Sequence, residues 1–236
     1  MRSLRQFACL ALICPAALYA AGNDQSATRV EVRFHLALPA TEKKAAPPAV
    51  AWLVPLEPDV ALHFPPHKTY SLVQKHRTFI PHLLVVPVGT QVLFPNQDPF
   101  YHNVFSLFNG KRFDLGLYEA GSTRSVTFSR VGVSYIFCNI HPEMSAVVIA
   151  LSTPLYAIAD AAGSFTISGV PEGDYELRAW VEGVPQSALD QLARRVHVSS
   201  GRTDLGSLQL PAVPSRPAAH LNKYGQPYDT ERKGIY

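Results

Sequence analysis

Cys138, His141 and Met144 fall three residues apart in the run Tyr135-Ile136-Phe137-Cys138-Asn139-Ile140-His141-Pro142-Glu143-Met144, and His102 lies 36 residues upstream. Together they offer a thiolate, two imidazoles and a thioether. A thiolate and two imidazoles in a plane, with a weak thioether above it, suit both Cu(I) and Cu(II), so little rearrangement accompanies the movement of one electron. This is the donor set of a blue copper centre. Each residue also has an ordinary use, since Cys and Met fill cores and His is often a satisfied polar residue. The spacing argues for the metal: the three donors follow an apolar strand and surround Pro142, where a turn can wrap a small ion. Glu143 is an alternative to Met144, although adjacent residues in a tight loop point different ways.

Cysteine usage supports the same chemistry. Of the three cysteines, Cys9 and Cys14 lie in a segment with Arg2 and Arg5 at its start, an apolar run from Phe7 to Ala17, and small residues at Ala20, Ala21 and Gly22. That pattern reads as a secretion signal over residues 1–21. Pro15 interrupts the run, which is shorter than the roughly 20 apolar residues of a spanning helix, so no membrane span is expected after cleavage. The processed chain then carries Cys138 alone into an oxidising compartment, periplasmic or extracellular. An unpaired thiol there must be buried or metal-bound.

Charge and motifs narrow the function further. The chain has 21 Lys and Arg against 18 Asp and Glu, and loss of Arg2 and Arg5 leaves it nearly neutral. No basic block interleaved with aromatics marks a nucleic-acid surface, so partners are expected to dock through apolar contact rather than long-range attraction. The sequence has no HExxH pair, phosphate loop or G-x-S-x-G elbow, and the expectation is a protein that is not an enzyme. A two-copper site would need a second cysteine where Asn139, Ile140 and Pro142 stand. The second reading is copper handling without a redox partner, but delivery sites favour Met-rich clusters and the processed chain keeps only Met144.

The elements that must position these residues are short. Apolar or alternating runs separated by Pro, Gly, Asn and Asp predict an all-β protein with strands over 30–38, 49–55, 83–86, 90–94, 103–105, 125–128, 133–138, 146–151, 156–159, 164–167, 175–181 and 195–198. Residues 186–192 hint at a helical turn. His63, His67, His76 and His82 lack ligand spacing and are read as structural or solvent-exposed. The polar tail over 213–236 reads as disordered by composition, with enough aromatic content in 220–228 to dock on a neighbouring sandwich.

On these motifs residues 69–151 resemble the cupredoxins, the small blue copper proteins of amicyanin and plastocyanin type. The carriers are His102-Asn103-Val104 and the short loop Cys138-x-x-His141-x-x-Met144, which matches the amicyanin spacing. The resemblance implies a Greek-key β-sandwich holding one type 1 copper, with His102, Cys138 and His141 as ligands and Met144 axial. It implies that Asn103 ties the two ligand loops and helps donate a hydrogen bond to the Cys138 sulfur. His141, beside Pro142, Phe100 and Pro99, becomes the port for electrons exchanged with a donor and an acceptor protein. Residues 152–212, with Asp160, Gly163 and Phe165 followed by Pro171, Gly173 and Tyr175, resemble the transthyretin-like β-sandwich found beside carboxypeptidases. Strands in residues 22–68 have the texture to complete it, which would make the copper block an insertion. The whole resembles secreted bacterial proteins labelled methylamine utilisation proteins.

Overall fold

The computed structural model describes residues 30–37, 46–57, 62–65, 69–107, 110–210 and 221–228. The expected secretion signal, His67 and parts of the tail lie outside them. Regular structure in chain order is β1 (Val30–Ala37), β2 (Ala49–Pro55), β3 (Tyr70–Ser71), β4 (Val73–Lys75), β5 (Thr78–Ile80), β6 (Leu83–Pro87), β7 (Thr90–Pro95), β8 (His102–Ser106) and β9 (Phe113–Tyr118). It continues through β10 (Thr123–Phe128), β11 (Gly132–Phe137), β12 (Ser145–Leu151), β13 (Tyr156–Ile158), β14 (Ser164–Val170), β15 (Gly173–Val181), α1 (Gln186–Asp190), β16 (Arg194–Val198) and β17 (Arg202–Gln209). The all-β expectation holds.

Two pairs of sheets and a small two-stranded sheet, β4-β5, build the described residues. In the first, the sheet ordered β14-β1-β17 and the sheet ordered β13-β2-β15-β16 join N-terminal strands to C-terminal ones, while β3 to β12 lie between them in sequence. In the second, a five-stranded sheet, β6-β12-β11-β8-β9, accompanies the sheet β10-β7-β3. Side chains alternate across a strand, and β12 shows the consequence. Ala146, Val148 and Ala150 join Val92, Phe94, Val104 and Ile136 in one core, whereas Val147, Ile149 and Leu151 join Leu53, Leu177 and Val181 in the other. Burial on both faces explains why β12 reads as an unbroken apolar run. Each such aliphatic side chain contributes up to about 1.5–3 kcal/mol. A polar link crosses between the two halves where the Trp180 indole N–H donates to the Tyr135 hydroxyl at 3.1 Å.

This arrangement makes β8 and β11 rigid platforms. All five residues of β8 are buried between neighbouring strands. The antiparallel pairing sets Phe105, near the end of β8, opposite Phe137, the last residue of β11, so the chain leaving β11 runs back toward His102. Phe137 faces Ser145 in the β11–β12 ladder, so residues 138–144 form the loop between those strands.

Candidate metal centre

His102 opens β8 with its ring fully buried, and the loop before it fixes the ring's orientation. Asn96 Oδ1 accepts the Asp98 N–H at 3.0 Å and Asn96 Nδ2 donates to the Phe100 carbonyl at 2.8 Å, a side-chain-templated turn of the kind Asn favours. Asp98 is thereby held inward, 5% exposed, and its Oδ2 accepts the His102 Nε2–H at 2.8 Å. The same carboxylate receives the His76 N–H at 2.6 Å and the Arg77 N–H at 3.0 Å. Those two residues form the turn between β4 and β5, each with φ of 56°. Two left-handed residues in a two-residue hairpin usually include Gly or Asn; here the carboxylate gathers both N–H groups instead.

Burial pushes the Asp98 carboxyl pKa up, but the Arg77 N–H, the His102 ring and the His76 N–H outweigh it and hold the group below the ordinary carboxylate range. The ionised carboxylate accepts the Nε2–H hydrogen bond and so fixes the proton on Nε2, which leaves the His102 Nδ1 lone pair to face inward. Burial also depresses the His102 pKa against the pull of Asp98. At His141 burial acts first and the neighbouring His102 second, in the same direction. Both imidazoles are thus biased toward the neutral form that metals need.

Cys138 leaves β11 fully buried. Burial raises its thiol pKa, and the backbone N–H groups of Asn103, Ile140 and His141 oppose the rise by pointing at the sulfur. Such donors stabilise a thiolate once a cation shares the site. The loop closes on itself through Cys138 N–H to the Met144 carbonyl at 3.3 Å and Met144 N–H to the His141 carbonyl at 3.0 Å. Met144 is fully buried in the same core as Cys138.

The two loops bring His102 Nδ1, His141 Nδ1 and Cys138 Sγ together, with Nδ1 to Nδ1 at 3.2 Å and sulfur to nitrogen at 3.8 and 3.6 Å. A point equidistant from the three atoms lies about 2.1 Å from each, inside the roughly 2.0–2.3 Å range of imidazole and thiolate bonds to an ion such as zinc. The residues therefore fit a metal, and the soft thiolate with two imidazoles suits copper. Among the described residues this is the cluster of His, Cys, Asp or Glu able to hold one, and the exposed Glu143 is not part of it.

Around the cluster, the Phe100 ring lies 5.2 Å from that of His102 and 5.7 Å from that of His141, with the Arg77 guanidinium 5.2 Å from its other partner surface, the ring centroid. Phe100 and His141 are half-buried, whereas Pro99, Tyr101 and Pro142 are exposed. At Asn103, Nδ2 donates to Asp114 Oδ1 on β9 at 2.6 Å, and the backbone N–H is the group that faces the Cys138 sulfur. His82 bonds Glu182 at 2.6 Å and the Ser145 carbonyl at 3.1 Å, a structural link between β12 and β15. His63 and His76 are exposed. Sequence reasoning passed over Asp98; its position four residues before His102, next to a turn-forming Asn96, is the signal that marks it.

Comparison with known proteins gives a family match over residues 156–205 to the polysaccharide lyase family 4 domain II model, within the region whose motifs resemble the carboxypeptidase-associated sandwich. No curated protein matches. Among solved structures, a purple cupredoxin from Nitrosopumilus maritimus is 26% identical over 35% of this chain and 99% of its own, with a TM-score of 0.32. Amicyanin from Paracoccus versutus is 20% identical over 36% of this chain and 84% of its own, at 0.34. A copper-containing nitrite reductase from Thermus scotoductus is 25% identical over 42% of this chain and 27% of its own, also at 0.34.

Proposed function

We propose that this protein is a periplasmic or secreted carrier of single electrons with one type 1 copper, held by His102 Nδ1, Cys138 Sγ and His141 Nδ1 with Met144 as the axial donor. The observation that carries this reading is the convergence of the two imidazole nitrogens and the thiol sulfur within 4.8 Å of one another, at a site where Cys138 and His102 are buried. Copper bound there supplies a one-electron couple. The chain does the rest: β8 and β11 fix the donor positions, Asp98 orients His102, and three backbone N–H groups share the charge on the Cys138 sulfur. Donors that already stand in place need little rearrangement when charge changes, which is what fast electron exchange requires.

His141 is the port. Its half-buried ring lies against Phe100, with exposed Pro99, Tyr101 and Pro142 nearby in sequence, and a redox protein docking by apolar contact would meet that edge. The copper block then sits as an insertion in a sandwich formed by β1, β2 and β13 to β17, and the chain catalyses no reaction of its own.

Optical and electron paramagnetic resonance spectra of the processed protein loaded with Cu(II) test this directly. An intense visible thiolate-to-copper band with a small parallel hyperfine splitting is the expected result. A pale spectrum typical of nitrogen and oxygen ligation would exclude electron transfer through Cys138.

A further inference from the structure

The segment Leu221–Tyr228 folds on itself. Asn222 Oδ1 accepts the N–H groups of Tyr224 and Gln226 at 2.9 and 3.0 Å, and Asn222 N–H donates to the Gln226 carbonyl at 2.8 Å. Gly225, at φ 77°, supplies the left-handed residue that closes the turn and donates to the Asn222 carbonyl at 2.9 Å. The tail docks, but on the ligand loop instead of the sandwich.

Hydrogen bonds leave this turn toward both ligand loops. The Lys223 N–H donates to Asn139 Oδ1 at 2.9 Å, the Lys223 ammonium to Asp114 Oδ2 at 2.8 Å, and the Tyr228 hydroxyl to the Cys138 carbonyl at 2.8 Å. Asp114 is also the acceptor for Asn103. The chain of contacts Asn103–Asp114–Lys223–Asn139 therefore runs from the residue after His102 to the residue after Cys138, and Tyr228 grips the cysteine's own peptide. The Asn103 side chain thus connects to the cysteine loop by a route through the C-terminal turn.

We propose that the turn Leu221–Tyr228 is a clamp that holds the two ligand loops at the spacing a metal requires, with Lys223 and Tyr228 as positioning residues. The metal part of this rests on the copper reading above; the loop restraint does not. Without the turn, the Cys138–Met144 loop keeps its two internal backbone bonds and the contacts of its buried ends, while Asn139 loses a hydrogen-bond partner.

The test uses the full chain carrying Tyr228→Phe or Lys223→Met, the rescue variant Lys223→Arg, and a chain ending at residue 220. Amide hydrogen exchange of the metal-free protein is followed at residues 138–144, together with copper release to a chelator and the parallel hyperfine splitting of the loaded protein. Tyr228→Phe and Lys223→Met should each speed loop exchange about threefold to tenfold, as expected for loss of one hydrogen bond. Exchange within β12 should stay unchanged, copper release should quicken in parallel, and Lys223→Arg should restore most of the protection. Loop exchange within twofold of the parent in both point variants would overturn the clamp. Should the shortened chain not fold, the two point variants decide, because each removes one contact and leaves the turn in place. Faster loop exchange in a protein that shows no thiolate-to-copper band supports the clamp and overturns the copper reading.

Discussion

The loop that presents His102 and the loop that presents Cys138 and His141 reach the same point by opposite means. The first is fixed from inside: a buried carboxylate, Asp98, binds the ring of His102 and gathers the β4–β5 turn beneath it. The second depends on its own backbone closure and on the C-terminal turn, and its middle is half-exposed at Asn139, Ile140 and His141. His102 is thus locked by packed polar contacts, while the cysteine loop presents a half-exposed edge. The proposed electron carrier would benefit from that division, because such a site must be rigid around its ion yet accessible at one edge.

Substitutions can break each half separately. The largest effect belongs to Cys138→Ala, which removes the thiolate and should abolish the strong visible absorption, while the fold survives because a small buried side chain replaces another. Circular dichroism and the optical spectrum of the copper-treated variant check both parts; a persistent blue colour would remove Cys138 from the site. Met144→Gln should keep copper but lower the potential, since a harder axial donor favours Cu(II). An unchanged or higher value in voltammetry would argue against axial ligation.

Asp98→Asn sharpens the other half. The amide keeps one acceptor but loses the charge that polarises His102 and sets its Nδ1 lone pair inward, so the potential should rise by on the order of 60 mV, a tenfold change in the one-electron equilibrium. Because the new NH2 group also confronts the His76 or Arg77 N–H, unfolding stability should fall by about 1–3 kcal/mol. A denaturant titration and a voltammogram separate the two consequences. Equal potentials in parent and variant would reduce Asp98 to a structural acceptor.

The same contrast explains what the sequence made legible. The cysteine loop is contiguous, so its chemistry is visible in one line of residues, and β12 announces itself by a long apolar run while β15 does so by alternating buried and polar residues. Asp98 sits in a stretch, Asn96-Gln97-Asp98, that reads as a solvated loop; it becomes a buried anchor only because β4 and β5 bring a turn over it. That hairpin is itself hard to see, with three-residue strands and His76-Arg77 where Asn-Gly would have advertised the turn. Strand β9 hides behind Asp114 and Gly116, residues depleted in strands, and β3 has two residues. Strand β17 was likewise missed, although it pairs in parallel with β1 at the other end of the chain. The C-terminal turn has the composition of a disordered tail, and only tertiary hydrogen bonds to Asn139, Asp114 and Cys138 give it a place.

The smallest expected effect concerns the ion pair at the seam between the loops. Burial raises the Asp114 carboxyl pKa, but the Lys223 ammonium, the Gly116 N–H and the Asn103 carboxamide together hold it below the ordinary value, and Lys223 is shifted upward mainly by its bond to Asp114. A carboxylate whose folded pKa is depressed contributes stability that is fully present above the unfolded value of about 3.9 and is lost as pH falls through the folded one. Acidification from pH 6 toward 3 should therefore loosen the C-terminal turn. Lys223 stays protonated throughout, so Asp114 alone sets the direction. With Asp114 40% exposed on its side chain, solvent screening limits the change to about a fewfold in loop exchange, the scale of a surface pair. Referencing the 138–144 exchange rates to those of β12 removes any general acid destabilisation, and Lys223→Met should flatten the remaining dependence. If the parent and Lys223→Met respond alike to acid, the ion pair does not couple the histidine loop to the cysteine loop, and the restraint lies with Tyr228 and the Asn139 contact.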